Sequence, residues 1–248
     1  MAWYWWVVII LVIVLAVTPL LAQRTRRDRV VLTNNERVPG KVLKESWKGV
    51  ELDRDMDGTA DVTYRLDEVK EVIYGNLPQY LLDAMLLRSK PEKNDAYIAT
   101  LRRAYFDRST SKWILQHAYY NLAKRYEKLA ARNEEYLLKA QEAYLKLLHD
   151  IPETRYALQL RMDLGEMFLY RGQMSKSREM FSALLGKGFG AEVEAKARFR
   201  QAQSYLIEGK PDKAAEVLDE VKPDELDGLT RAKLAVLRAD VLLSLIHI

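Results

Sequence analysis

Four aspartates, Asp53, Asp55, Asp57 and Asp61, surround Gly58 in one short segment. Carboxylates at alternate positions with a glycine at the sixth supply hard oxygens that converge on Ca²⁺, while the glycine permits the sharp turn. The ligand set is incomplete, because the twelfth position is Tyr64, where such a loop needs a bidentate carboxylate, and the flanks read as strands. The same residues suit a hairpin tip, where Asp57-Gly58 supplies positive φ angles and the carboxylates stay solvated. Both readings are open: Ca²⁺ held by Asp53, Asp55, Asp57 and Asp61, or a plain turn.

Other constellations that do chemistry are sparse. Without cysteine there is no disulfide, no thiolate metal site and no Cys nucleophile, and the redox compartment stays undetermined. His117 and His149 fall on separate predicted helices, and no serine sits in a nucleophile elbow. Gly186-Lys-Gly-Phe-Gly190 lacks the Gly-Lys-Ser/Thr order of a phosphate loop and follows no strand, so it reads as an interhelix turn. The expectation is a protein that is not an enzyme. A net charge of +4 does not by itself imply nucleic acid. In 77–132, however, basic residues outnumber acidic ones roughly two to one and accompany Tyr97, Tyr105, Phe106, Trp113, Tyr119, Tyr120 and Tyr126. Arginines beside aromatics clamp phosphates and stack bases, which makes binding of nucleic acid or another anionic polymer the alternative function. Helical spacing of those aromatics favours a core with a solvated basic face instead.

The elements that would position these residues change character along the chain. Between Asp28 and Tyr74 the apolar period is two, in short runs: Val30-Val31-Leu32, Val42-Leu43, Val50-Glu51-Leu52, Val62-Thr63-Tyr64 and Val69 to Ile73. Five such strands predict a small barrel at 30–75, with a bulge or edge position at Pro39-Gly40. From Leu77 the period is helical, and breakers cut the chain into helices at 78–89, 92–108, 110–131, 133–149, 154–171, 174–185, 190–208, 211–221 and from 226 onward. Within them Gly165, Ala202 and Ala239 recur at a step of 37, as do Phe168, Tyr205 and Leu242, and Gly172 and Gly209. A small residue followed three later by a large apolar one lets two antiparallel helices approach and fills the gap beside them. Its repetition predicts an α-solenoid at 77–248.

Two resemblances follow from these residues. The pattern Leu164-Gly165-x-x-Phe168, Gly172, Ser177, Phe181, with Ala202-x-x-Tyr205, Gly209, Ala214 and Leu218 after it and Ala140-x-x-x-Tyr144 with Pro152 before it, resembles the tetratricopeptide repeat over roughly 110–248. It departs from the family in its longer period, in Arg161 and Arg198 where the family has Trp, and in the missing terminal Pro. The resemblance implies a mainly α protein that binds a segment of another protein on its concave face. In that family the first helix of each repeat lines the groove, which here implies Gln159, Met162, Glu166 and Leu169, then Lys196, Phe199, Gln203 and Leu206. The strand region is similar to the SH3-like or Sm-like barrels found ahead of helical repeats in exported bacterial proteins. A permanent structural role in an envelope complex is a further alternative, and the oligomeric state stays open. A third repeat starts at Leu229 with Ile246 where the register calls for glycine, and the expectation is a chain that stops inside a repeat.

The first 22 residues carry no charged side chain. Twenty apolar residues span a bilayer as a helix, and Trp3, Tyr4, Trp5 and Trp6 suit its interface, so a retained membrane anchor is expected. A cleaved signal peptide ending near Ala22 is the competing reading. Arg24, Arg26, Arg27 and Arg29 lie in a basic juxtamembrane segment, 23–29, that favours the cytoplasmic side. The domain resemblances favour the extracytoplasmic, periplasmic side, which is the expectation adopted.

Overall fold

The structure, a computed structural model, describes residues 27–246; the apolar segment 1–22 lies outside the described residues. Among the described residues no helix is long and apolar enough to cross a membrane. The chain divides into two units between Leu86 and Leu87.

The first unit holds five antiparallel strands, β1 Asp28–Leu32, β2 Arg37–Ser46, β3 Gly49–Asp53, β4 Val62–Tyr64 and β5 Val69–Ile73, followed by α1 Gln79–Leu87. Their order is β4-β3-β2-β1-β5, so the predicted barrel is instead an open sheet whose edge strands β4 and β5 do not pair. It is nonetheless strongly rolled. A flat sheet would set its edges about 19 Å apart at the usual strand spacing of about 4.8 Å, more than residues 65–68 span even at full stretch, and here they form a turn in which the Glu68 amide donates to the Arg65 carbonyl at 3.0 Å. Rolling also lets Val62 and Tyr64 at one edge share a core with Val69 at the other, around Val30, Val38, Val50 and Leu52. With β4 only three residues long, too little backbone is available to ladder the edges shut. The predicted bulge falls elsewhere: register shifts between Val42 and Lys44, not at Pro39-Gly40. Gly40 serves close approach, since a Cβ there would lie 2.6 Å from the Asp53 carbonyl oxygen. The Asp28 carboxylate accepts hydrogen bonds from the amides of Val42 and Gly75, at 3.0 and 2.7 Å, tying three segments together.

The second unit is helical: α2 Asn94–Arg102, α3 Lys112–Ala130, α4 Glu135–Asp150, α5 Ala157–Tyr170, α6 Met174–Ser182, α7 Ala191–Ile207, α8 Pro211–Asp219 and α9 Gly228–Ile246. Packing joins α3 with α4, α5 with α6 and α7 with α8 as hairpins, and α9 packs on α8 and α7. The step of 37 reappears as repeated geometry. At the ends of α5 and α7, Gly172 and Gly209 take φ of 71° and 69°. The following amides, of Gln173 and Lys210, donate to the carbonyls of Phe168 and Tyr205 at 2.8 and 2.9 Å. Both turns are the same left-handed C-cap, a conformation glycine adopts at little cost. Gly165 is the close-approach point of the α5–α6 hairpin, where Ser177 Oγ donates to its carbonyl at 2.8 Å and the buried Phe181 ring covers it. In the α7–α8 hairpin the corresponding residues are Ala202 and Leu218, both fully buried. In the third copy Ala239 and Leu242 are exposed, and among the described residues no second helix follows α9 to cover them.

A candidate protein-interaction groove

The polar face of the first helices is built by the same repeat. On α5, Gln159, Asp163, Glu166 and Tyr170 lie at spacings of four, three and four, which keeps them on one face of a helix. Their counterparts 37 residues later on α7 are Lys196, Arg200, Gln203 and Ile207. Tyr170 and Ile207 are 78% and 61% exposed, large side chains left in solvent at the end of each stripe. The two helices are joined through this face by Arg200, whose Nε pairs with Glu166 Oε1 at 2.5 Å; within α7 its Nη1 donates to Gln203 Oε1 at 2.8 Å.

Two cavities open along the groove. The first, of about 470 Å³, lies between α3, α4 and α5. Glu127 and Ala130 line it from α3, Glu134 and Leu137 from the start of α4, and Asp163, Glu166, Met167 and Tyr170 from α5. Glu127 is held by Tyr144, whose hydroxyl donates at 2.7 Å, and by Lys124 Nζ at 2.6 Å. Burial pushes the Tyr144 hydroxyl well above its ordinary pKa, and the Glu127 carboxylate adds to the rise. Asp163 Oδ1 accepts from Gln159 at 2.7 Å, whereas Oδ2 is buried, accepts no hydrogen bond and lies 3.6 Å from Lys124 Nζ. Burial raises the Asp163 carboxyl above its ordinary pKa, outweighing the lowering by Gln159 and Lys124, while Glu127 reinforces the rise. Burial alone would lower the Lys124 ammonium; the Glu127 hydrogen bond and the Asp163 and Glu127 charges raise it on balance. The second cavity, of about 280 Å³, lies between α7 and α9 and is lined by Phe199, Gln203, Ala232, Lys233, Val236, Leu237 and Asp240.

Of the residues implied from the resemblance, Gln159, Glu166, Lys196 and Gln203 lie on the stripe just described, with Glu166 and Gln203 at the two cavities. Lys196 is exposed and pairs with Glu192. Met162 packs against the Phe181–Leu184–Ala197 core, and Leu206 against the α7–α9 core. Phe199 does both, packing against that core and lining the second cavity, while Leu169 is half-buried beside the stripe. The resemblance leaves out Asp163, Arg200, Tyr170 and Ile207. The signal for them is the step of 37 applied to the polar positions instead of the apolar ones.

The aspartate loop is organised around its own backbone. Asp53 is fully buried, and its two carboxylate oxygens accept from the amides of Met56 at 2.6 Å and Gly58 at 2.9 Å. Asp61 accepts from Arg54 N at 2.5 Å, and Asp57 from the amide and hydroxyl of Thr59, each at 2.7 Å. Oxygens of Asp53, Asp55 and Asp61 lie within 4.8 Å of one another, and Asp57 stands outside that group. The aromatic stretch is largely core: Tyr97, Trp113, Tyr119 and Tyr126 are buried, and Phe106 is exposed. At 186–190, the Gly186 amide donates to Glu194 Oε1 at 3.0 Å, so a carboxylate occupies the donor that a phosphate would need.

No protein-family profile matches the chain, and no curated protein matches it. Among solved structures it is similar to MamA MSR-1, at 14% identity and a TM-score of 0.41, over 66% of this chain and 90% of that one. A Podosopora anserina kinesin light chain with nearly identical TPR-like repeats gives 14% identity and a TM-score of 0.46, over 67% of this chain and 84% of that one. A thermophilic tetratricopeptide-repeat protein of Thermus thermophilus, TTC0263, gives 16% identity and a TM-score of 0.36, over 66% of this chain and 98% of that one. At scores below 0.5, the tetratricopeptide-like reading stands on the repeated C-caps and close-approach points of the chain itself.

Proposed function

We propose that the helical unit is a protein-interaction scaffold that holds a segment of a partner protein along the face formed by α3, α5, α7 and α9. One observation carries this reading: a run of polar and exposed large side chains, repeated at 37 residues, connects two cavities on one face. Core packing has no use for Tyr170, Ile207 or Val236 in solvent. Exposed aromatic and aliphatic side chains beside concave pockets are the usual anchors of partner segments. The site offers no nucleophile with a base beside it, which favours binding over catalysis. Four of the aromatics of 77–132, Tyr97, Trp113, Tyr119 and Tyr126, are in the core, and the first cavity of the groove is lined by four carboxylates, which favours a protein over a polyanion. The uncharged segment 1–22 supports a placement at the cell envelope, with the scaffold on the extracytoplasmic side.

Photo-crosslinking in living cells tests the reading. A benzophenone amino acid at Gln203 or Glu134 is expected to give a discrete adduct, and one at Glu179, exposed on α6, to give none. Adducts from Glu179 alone would refute the groove.

A further inference from the structure

Building on that reading, we infer that the groove selects a segment with a lysine or arginine side chain at one end and an apolar side chain about six residues away. The two cavities differ in chemistry. The first sets four carboxylates, those of Glu127, Glu134, Asp163 and Glu166, around walls of Leu137, Met167 and Tyr170. Only two cations counter them in the interactions described above: Lys124, shared by Glu127 and Asp163, and Arg200 on Glu166. A long cationic side chain fits this arrangement. Its methylenes cover the apolar wall, its head reaches the acids, and the exposed Tyr170 ring can take it face-on. An acidic or purely apolar side chain would strand those charges away from water.

The second cavity lacks that imbalance. Lys233 and Asp240 carry one charge of each sign, and Phe199, Val236 and Leu237 supply apolar walls, with Val236 63% exposed. It fits an apolar side chain. Between the cavities run Glu166, Arg200 and Gln203, polar groups over which an extended backbone can pass. Packed helices lie about 10 Å apart, so pockets between α3 and α5 and between α7 and α9 are about 20 Å apart. An extended chain covers that in about six residues.

The probe is a random 12-residue peptide library displayed on phage and selected against the full chain, with the enriched peptide then titrated by fluorescence anisotropy. Expected is enrichment of Lys or Arg five to seven positions from an apolar residue. Affinity should fall about tenfold in the Glu134→Gln/Glu166→Gln double variant and about tenfold in Val236→Asp, and should weaken with salt. These positions are partly or largely exposed, and unchanged thermal melting confirms folding. Enriched peptides without a basic residue, or binding indifferent to the charge variants or to Val236→Asp, would overturn the two-ended selectivity while leaving the groove as the site. Peptides whose binding ignores all of these variants, or no enrichment at all, would overturn the groove reading itself.

Discussion

Asp163 shows why the groove costs the fold something. Its carboxylate is four-fifths buried, with one oxygen accepting no hydrogen bond, and burial holds its pKa above the unfolded value. A carboxyl with a raised folded pKa costs stability above that pKa, and the cost disappears as pH falls toward the unfolded value. Asp163→Asn keeps the Gln159 interaction and leaves Lys124 paired with Glu127, so it should stabilise the protein at pH 7 by about 0.5–1 kcal/mol, or roughly 2 °C in melting temperature. The gain should vanish near pH 4. A lower melting temperature at pH 7 would mean that Lys124 and Asp163 act as a stabilising ion pair. Little of this was legible in sequence, because a lone Asp at position 163 carries no sign of whether Lys124, 39 residues away, will face it. Asp53 is a comparable case: the spacing of the aspartates suggested converging oxygens, and three do converge, but the backbone amides that occupy them follow from the turn and not from the spacing.

At the scale of elements, the period of 37 was the most legible feature, because a small residue, a large apolar one and a glycine C-cap each answer a local steric demand. Gly165 and Phe181 on one hairpin become Ala202 and Leu218 on the next, so a larger small residue accompanies a smaller partner. A Cβ on Gly165 would stand 2.5 Å from Phe181 Cζ, in a ring with no exposure. Gly165→Ala should therefore destabilise by about 1–2 kcal/mol, overpacking exceeding the gain of about 1 kcal/mol in helix propensity. Adding Phe181→Leu should recover part of the loss, and thermal melting of the single and double variants checks both. An unchanged or raised melting temperature in Gly165→Ala would show that the ring can move aside. The rotation of each helix was less legible. Family register implied Met162, Phe199 and Leu206, which pack wholly or partly inward, because one helical position turns a side chain by about 100° and amphipathic helices here have broad half-buried flanks. The strands were readable from their alternation, but closure was not: whether edges meet depends on strand length and roll, and β4 is too short to ladder.

The molecule as a whole combines an open, rolled sheet unit with a helical unit of tetratricopeptide-like hairpins, and partner binding is assigned to the first-helix face of the latter. On the proposed reading this face, and not the second-helix face, receives the partner. Hydrogen–deuterium exchange of the full chain, with and without the phage-enriched peptide, decides between the two faces. Slowed exchange is expected in peptides of α3, α5, α7 and α9 and at the start of α4, strongest around Glu166 and Gln203, with α6 and α8 little changed. Protection confined to α6 and α8 would contradict it.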